Sequence, residues 1–148
     1  MKVLIFFTLI LLTEASLFAA EPNDILGIWN TDQGEAKVEI YMCGDKVCGK
    51  IIWLKNPIYT DSKEGEVGIP VIDRKNPDPA LRSRPVIGVR ILEGFISKGD
   101  NKWGEGTFYD PKSGHTYRGK MHLAAPDRLE LRGYIGIPLF GQSSVWTR

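Results

Sequence analysis

Long apolar runs with a helical period are missing from this 148-residue chain after its first twenty positions. That absence argues against a helical bundle and against alternating βα units. Histidine is scarce, with only His115 and His122. They stand seven apart in one expected strand and so fall on opposite faces, which leaves no ligand cluster for a metal. There is no Gly-x-Ser-x-Gly elbow and no Gly-rich phosphate loop, so no catalytic constellation and no cofactor is expected. His115 is the one candidate acid or base, and a hydrogen-bonded histidine at a strand end is the plainer reading. An excess of charge is missing too. The 19 Lys and Arg nearly balance the 18 Asp and Glu, for a net +1, which gives no electrostatic reason to expect nucleic acid or an anionic membrane as partner.

The first twenty residues stand apart. Lys2 precedes an apolar run, Val3 to Leu12, broken only by Thr8, and small residues follow at Ala19-Ala20. This pattern reads as a secretory signal peptide, too short for a transmembrane helix of about 20 apolar residues. Cleavage is expected after Ala19 or Ala20, although Phe18 is bulky for such a site; an uncleaved anchor is the alternative. No Cys lies near the cut, so a lipid anchor is not implied. The chain is expected to be exported, periplasmic or secreted, with residues 1–20 as signal and 21–148 as one domain not stably inserted in a membrane. The two cysteines, Cys43 and Cys48, are expected to form a disulfide, as an even count in an exported chain favours. A thiol redox pair is the rival, disfavoured by the C-x4-C spacing and the lack of a βαβ pattern.

What is present is punctuation. The 16 Gly and 9 Pro separate short β-rich runs, which predicts an all-β domain. Eight strands are expected at about 26–31, 36–43, 48–54, 86–96, 102–109, 115–123, 128–135 and 143–147, a set that fits a small antiparallel barrel. If Cys43 opposes Cys48, residues 44–47 form the loop, and Met42 faces Gly49, Ile40 faces Ile51 and Val38 faces Trp53 on an inward face. Farther on, Asp110-Pro111-Lys112-Ser113-Gly114 is turn chemistry. In the strand after it His115, Tyr117, Gly119, Met121 and Leu123 share the inward face. A four-residue loop places Phe108 inside, opposite Tyr117; a shift of one residue places Tyr109 there instead.

Residues 55–84 form the outlier, a long connection carrying Pro57, Pro70, Pro77 and Pro79. Such lengths are usually functional or disordered. The segment is read as a lid over one barrel mouth, with a plain crossover as the alternative. Its first half, Asp61 to Glu66, looks solvated. Its second half, Ile69 to Asp73, is apolar enough to pack back, and Pro79-Ala80-Leu81-Arg82 is suited to one helical turn capped by Asp78. Asp73, Asn76, Asp78, Arg82 and Arg84 cluster here. Either the arginines turn into the mouth and bind an anionic or hydroxylated ligand, or Asp73 pairs with Arg82 or Arg84 and staples the loop to the barrel. Trp53, Tyr109, Tyr117 and Tyr134 are candidates to line the mouth, or they fill a solid interior. The apolar Ile137-Pro138-Leu139-Phe140 is a candidate contact surface or an inward plug.

A family resemblance rests on combined motifs. Gly27-Ile28-Trp29 at the first strand and Trp146-Thr147-Arg148 at the last resemble the lipocalin and wider calycin signature. To these are added Cys43-Gly44 with Cys48-Gly49, Asp73 with Asn76-Pro77-Asp78-Pro79, and Arg82-Ser83-Arg84-Pro85 followed by Gly88. Tyr109-Asp110-Pro111 with Gly114 and Tyr117, and Gly133-Tyr134-Ile135-Gly136, complete the set. Together they resemble the exported bacterial proteins grouped as domain of unknown function 2147, over essentially all of residues 21–148. The resemblance implies a lipocalin-like eight-stranded barrel, with Trp29 at the closed end beneath the basic Arg148 in a cation–π contact. It implies no reaction. Two functions follow as expectations: a carrier or sensor of a small polar or anionic molecule, with Trp53, Asp73, Arg82, Arg84, Tyr109, Tyr117 and Tyr134 as ligand-binding candidates, or an interaction module of the envelope with a filled barrel and working loops.

Overall fold

Alternation of apolar and polar residues in short runs gives each strand one face to bury, and closing the sheet on itself buries all those faces without leaving an edge. The computed structural model, which describes residues 21, 23–137 and 141–148, is such a closed barrel of eight antiparallel strands in sequence order. The strands are β1 (Gly27–Asn30), β2 (Ala36–Cys43), β3 (Lys46–Leu54), β4 (Arg90–Gly99), β5 (Lys102–Asp110), β6 (His115–Ala125), β7 (Arg128–Tyr134) and β8 (Gly141–Thr147). Their succession places the β2–β3, β4–β5 and β6–β7 turns at one end, with the entry to β1 and the end of β8. The other end holds the β1–β2 connection, the long β3–β4 connection, the β5–β6 turn and the β7–β8 loop.

The first end is closed. Between β1 and β8 the ladder holds one pair, Asn30 with Thr147. Arg148 reinforces this seam: its Nε donates to the Pro126 carbonyl at 2.8 Å, Nη1 to Leu26 at 3.0 Å and Nη2 to Asp24 at 2.8 Å. Its guanidinium lies 4.3 Å from the centre of the Trp29 ring, a cation–π distance. Trp29 is fully buried, and its indole N–H donates to the Ile25 carbonyl at 2.8 Å. Gly27 has φ +117, a backbone conformation that resists any side chain, which accounts for glycine two residues before the tryptophan.

The interior is filled at mid-height. Phe95 is fully buried and meets Phe108 with ring centroids 5.1 Å apart. A methyl group on Gly106 or Gly119 would collide with the Phe95 or Phe108 rings, so these glycines are spaces the aromatics occupy. Val38, Ile40, Leu92, Trp103, Met121 and Leu131 belong to the same core cluster.

The β2–β3 hairpin differs from expectation. Cys43 opposes Lys46, Tyr41 opposes Cys48 and Ile40 opposes Gly49. A two-residue turn, with Gly44 at φ +72, replaces the expected four-residue loop, and the register moves by two. A shift of two preserves side-chain parity, so Val38, Ile40 and Ile51 still face inward and are buried. The Cys43–Cys48 disulfide spans diagonal positions with Cα atoms 5.8 Å apart. Trp53 does not follow the expected pattern. An irregularity between Lys37 and Val38 pairs Ile51 with Val38 but Trp53 with Lys37, so the indole turns outward, 43% exposed, with the Lys37 ammonium 5.5 Å from its ring. Met42, also expected inside, is exposed at the hairpin end. The later hairpin has the four-residue loop, with Asp110 opposite His115 and Phe108 opposite Tyr117. The residues read as a signal, and Pro138, Leu139 and Phe140 of the apolar loop, lie outside the described residues.

Two outcomes are expected from this arrangement. Trp29→Ala should cost about 3 to 5 kcal/mol, as truncation of buried aromatic residues does, read as a lowered urea midpoint. Reducing the Cys43–Cys48 bond should cost about 2 kcal/mol, because it closes only a short loop; β-sheet circular dichroism at room temperature should survive the reductant.

Candidate functional site at the open end

The long connection folds on itself before it meets the barrel. Ile58 bridges Pro70 and Ile72 bridges Pro85, while the buried Tyr59 hydroxyl exchanges hydrogen bonds with the Ile72 backbone at 3.2 Å. Val86 enters the core, and Val71 packs against it. Gly88 donates to Ile51 and Ile51 to Val89, so the segment extends the β3 ladder into β4. Pro79–Leu81 makes a 3-10 turn whose cap is Asp78, accepting from Ala80 N.

Asp73 sits at the centre, with no exposed surface. Its Oδ1 accepts the Tyr109 hydroxyl at 2.5 Å. Its Oδ2 accepts Asn76 Nδ2 at 2.8 Å and the Arg84 guanidinium through Nε at 3.0 Å and Nη2 at 2.8 Å. Asn76 Nδ2 also donates to the Tyr109 hydroxyl at 3.1 Å. A buried carboxylate needs this density of donors to offset its lost hydration. Burial, and then the hydrogen bond to Asp73, pushes the Tyr109 phenol up to about 12, so it serves as a proton donor across neutral pH. Tyr109 stands on the outward face of β5, and the network therefore ties the loop to the barrel's shoulder.

Beside it opens a pocket of about 370 Å³, lined by Asn76, Arg84 and Tyr109 of the network and by Arg90, Glu93, Thr107 and Thr116 of the outer strand faces. Arg84 is half-buried, gripped by Asp73 along one edge. Arg90 is steadied by the Tyr41 hydroxyl and Glu93 Oε1, each at 3.2 Å. Two guanidiniums, three hydroxyls and one carboxylate thus face a space of small-molecule size.

Of the seven expected ligand-binding residues, the structure brings together Asp73, Arg84 and Tyr109. Arg82 is exposed and spends its Nε on the Asn76 carbonyl at 2.8 Å. Tyr117 faces the interior at the mouth, its hydroxyl 3.4 Å from His115 Nδ1. Trp53 and Tyr134 lie on the outer wall of other strands, Tyr134 opposite Arg118. Arg90, Glu93, Thr107 and Thr116 carried no local motif; outward parity points to Glu93, Thr107 and Thr116, whereas Arg90 joins them only through the pairing irregularity that sets Gly49 opposite Leu92 but Lys50 opposite Arg90. Among the described residues no group of His, Cys, Asp and Glu is arranged to hold a metal, and no helix is long and apolar enough to cross a membrane.

Arg84→Ala strips the buried Asp73 carboxylate of its cation and should cost on the order of 3 kcal/mol, measured by urea unfolding. The Tyr109 phenol holds its proton more tightly folded than unfolded, so its contribution is complete below pH 10 and is lost as the pH rises toward 12. Unfolding free energies at about pH 9 and about pH 11 should fall more steeply for the parent protein than for Tyr109→Phe.

A solved structure described as "Protein HP1028 from the human pathogen Helicobacter pylori belongs to the lipocalin family" is similar at 24% identity, with a TM-score of 0.69 over 84% of this chain and 82% of that one. That similarity shows a lipocalin-like fold. No curated protein matches. The model of the family described as "Uncharacterized protein conserved in bacteria (DUF2147)" matches residues 27–148. The chain belongs to that family of uncharacterised bacterial proteins.

Proposed function

We propose that the protein is an exported binder of a small polar molecule carrying an anionic group, held at the open end between the long connection and the shoulder of β4–β6. The observation that carries this reading is the pocket of about 370 Å³ on which Arg84 and Arg90 converge. Guanidiniums recognise carboxylate and phosphate with paired donors, and here one is pre-oriented by Asp73 and the other by Tyr41 and Glu93. A fixed donor costs less entropy on binding than a mobile one. Thr107 and Thr116 supply hydroxyls for the rest of the ligand. A lipocalin-like fold is compatible with a binding role, and we read the protein as a binder without catalytic chemistry of its own. Export rests on the leader-like first twenty residues, with cleavage placed after Ala19 or Ala20.

The second reading, an interaction module working through loops, has its own support. Phe95 and Phe108 fill the barrel at mid-height, and exposed apolar side chains gather in connections at the open end: Ile58, Val67, Leu81, Ile87, Ile135 and Ile137.

Native mass spectrometry of protein purified from the exported fraction separates these readings. A small-molecule mass present in the native spectrum, absent on denaturation and lost in Arg90→Ser is the expected result. A native mass equal to the bare chain, with co-purifying protein instead, would favour the loop surface.

A further inference from the structure

Away from the open-end pocket, the outer faces of β5 to β8 enclose a broad concavity of about 870 Å³. Its lining holds five Lys and Arg against two Glu, an excess of three positive charges on one wall of a chain whose net charge is +1. Both carboxylates are engaged, Glu105 by Lys98 at 2.8 Å and Glu130 by His122 and Arg128. Lys102, Arg118 and Lys120 make no ion pair among the described residues.

The arrangement works against the fold's own stability. Lys120 stands directly opposite Arg132 in the β6–β7 ladder, and like charges in direct cross-strand register destabilise a sheet. Arg118 lies two residues along β6, on the same face, about 7 Å from Lys120. The result is a small lattice of cation-bearing positions, with Cβ atoms about 5 Å apart between Lys120 and Arg132 and about 7 Å apart along β6. A linear chain with regularly spaced anionic groups complements such a lattice.

We propose that this wall binds a phosphodiester-linked polyanion that carries no bases. The closed barrel leaves no strand edge for a peptide to pair with, so recognition rests on charge, which favours a polymer with its charges in the backbone. Single-stranded nucleic acid is usually held by aromatic platforms on which bases stack, and Tyr134 is the single aromatic residue besides the inward Trp103 in this lining. Phosphates fit Arg118 and Arg132, and Ser143, whose hydroxyl accepts from Arg132 at 2.8 Å, sets the guanidinium in place.

The test is fluorescence anisotropy of the purified protein with a labelled glycerol-phosphate oligomer of about ten units, across a salt series. Four contacting cations predict a slope of log K against log salt near about −3, at roughly −0.7 for each contact. Lys120→Ser should weaken binding several-fold and make that slope shallower by about 0.7, yet raise the melting temperature, because the opposed like charges are gone. A misfolded variant does not give that opposite pair of changes. Absence of binding at low salt, or unchanged affinity in Lys120→Ser, overturns the proposal. Equal or tighter binding of an oligonucleotide or a poly-glutamate peptide of the same charge overturns the assignment to a base-free phosphate polymer.

Discussion

Closure of the barrel depends on Arg148. A sheet of eight strands left open would expose two edges and half of its apolar face, and here the ladder that closes it has a single pair. The last residue of the chain compensates by binding three backbone carbonyls, two from the segment before β1 and one from the β6–β7 turn. Those carbonyls belong to irregular backbone at the closed end and would otherwise require water. The guanidinium also covers the Trp29 ring, so one side chain satisfies polar groups and shields a fully buried tryptophan. Trp29 in turn fixes the entry segment through Ile25.

A comparable economy operates at the other end, with a different chemistry. The long connection buries Tyr59 and Val86 and packs Val71 against the core, and its polar attachment to the barrel's shoulder centres on Asp73. An unpaired buried carboxylate is costly, so the state in which Arg84, Asn76 and Tyr109 all reach it is strongly preferred over partial detachment. Because Tyr109 comes from β5 and the others from the connection, satisfying the carboxylate sets the position of the loop on the barrel. The same bonds aim the outer edge of Arg84 at the neighbouring pocket. The staple and the proposed ligand site therefore share residues, and the two readings of this cluster do not compete.

The strands and the closed-end pair were legible because they depend on local pattern and on motif. Gly27, Trp29 and Arg148 announce themselves at fixed places near the two ends of the barrel sequence. The β5–β6 turn was legible from Pro111 and Gly114, but its register stood open between Phe108 and Tyr109 inside, and the pairing of Asp110 with His115 places Phe108 there. The β2–β3 turn was not legible, because two cysteines five apart are compatible with either direct or diagonal pairing across a ladder. Trp53 was misplaced for a related reason: an irregularity in strand pairing flips every side chain beyond it, and no residue type at Lys37 or Ile52 marks it. The pocket was only half legible. Its loop side was visible as a cluster of charged residues in sequence, whereas Arg90, Thr107 and Thr116 come from three adjacent strands and meet only through the register of the β4–β5 and β5–β6 ladders.

The packed interior bears on where recognition can occur at all. Phe95 and Phe108 press against Gly106 and Gly119 at mid-height, and enlarging that space would forfeit the contacts that make the core cohesive. Polar groups placed there would need partners the interior does not offer. Recognition by such a barrel is better served by its rim and outer wall, where charges stay hydrated until a ligand arrives. An outer wall is normally free to mix signs for stability. A wall that sets Lys120 against Arg132 forgoes that stability, and a bound anion would restore it only in the complex. The free energy withheld from folding would then be available to binding, which is how a charged outer sheet face would acquire affinity for the proposed polyanion.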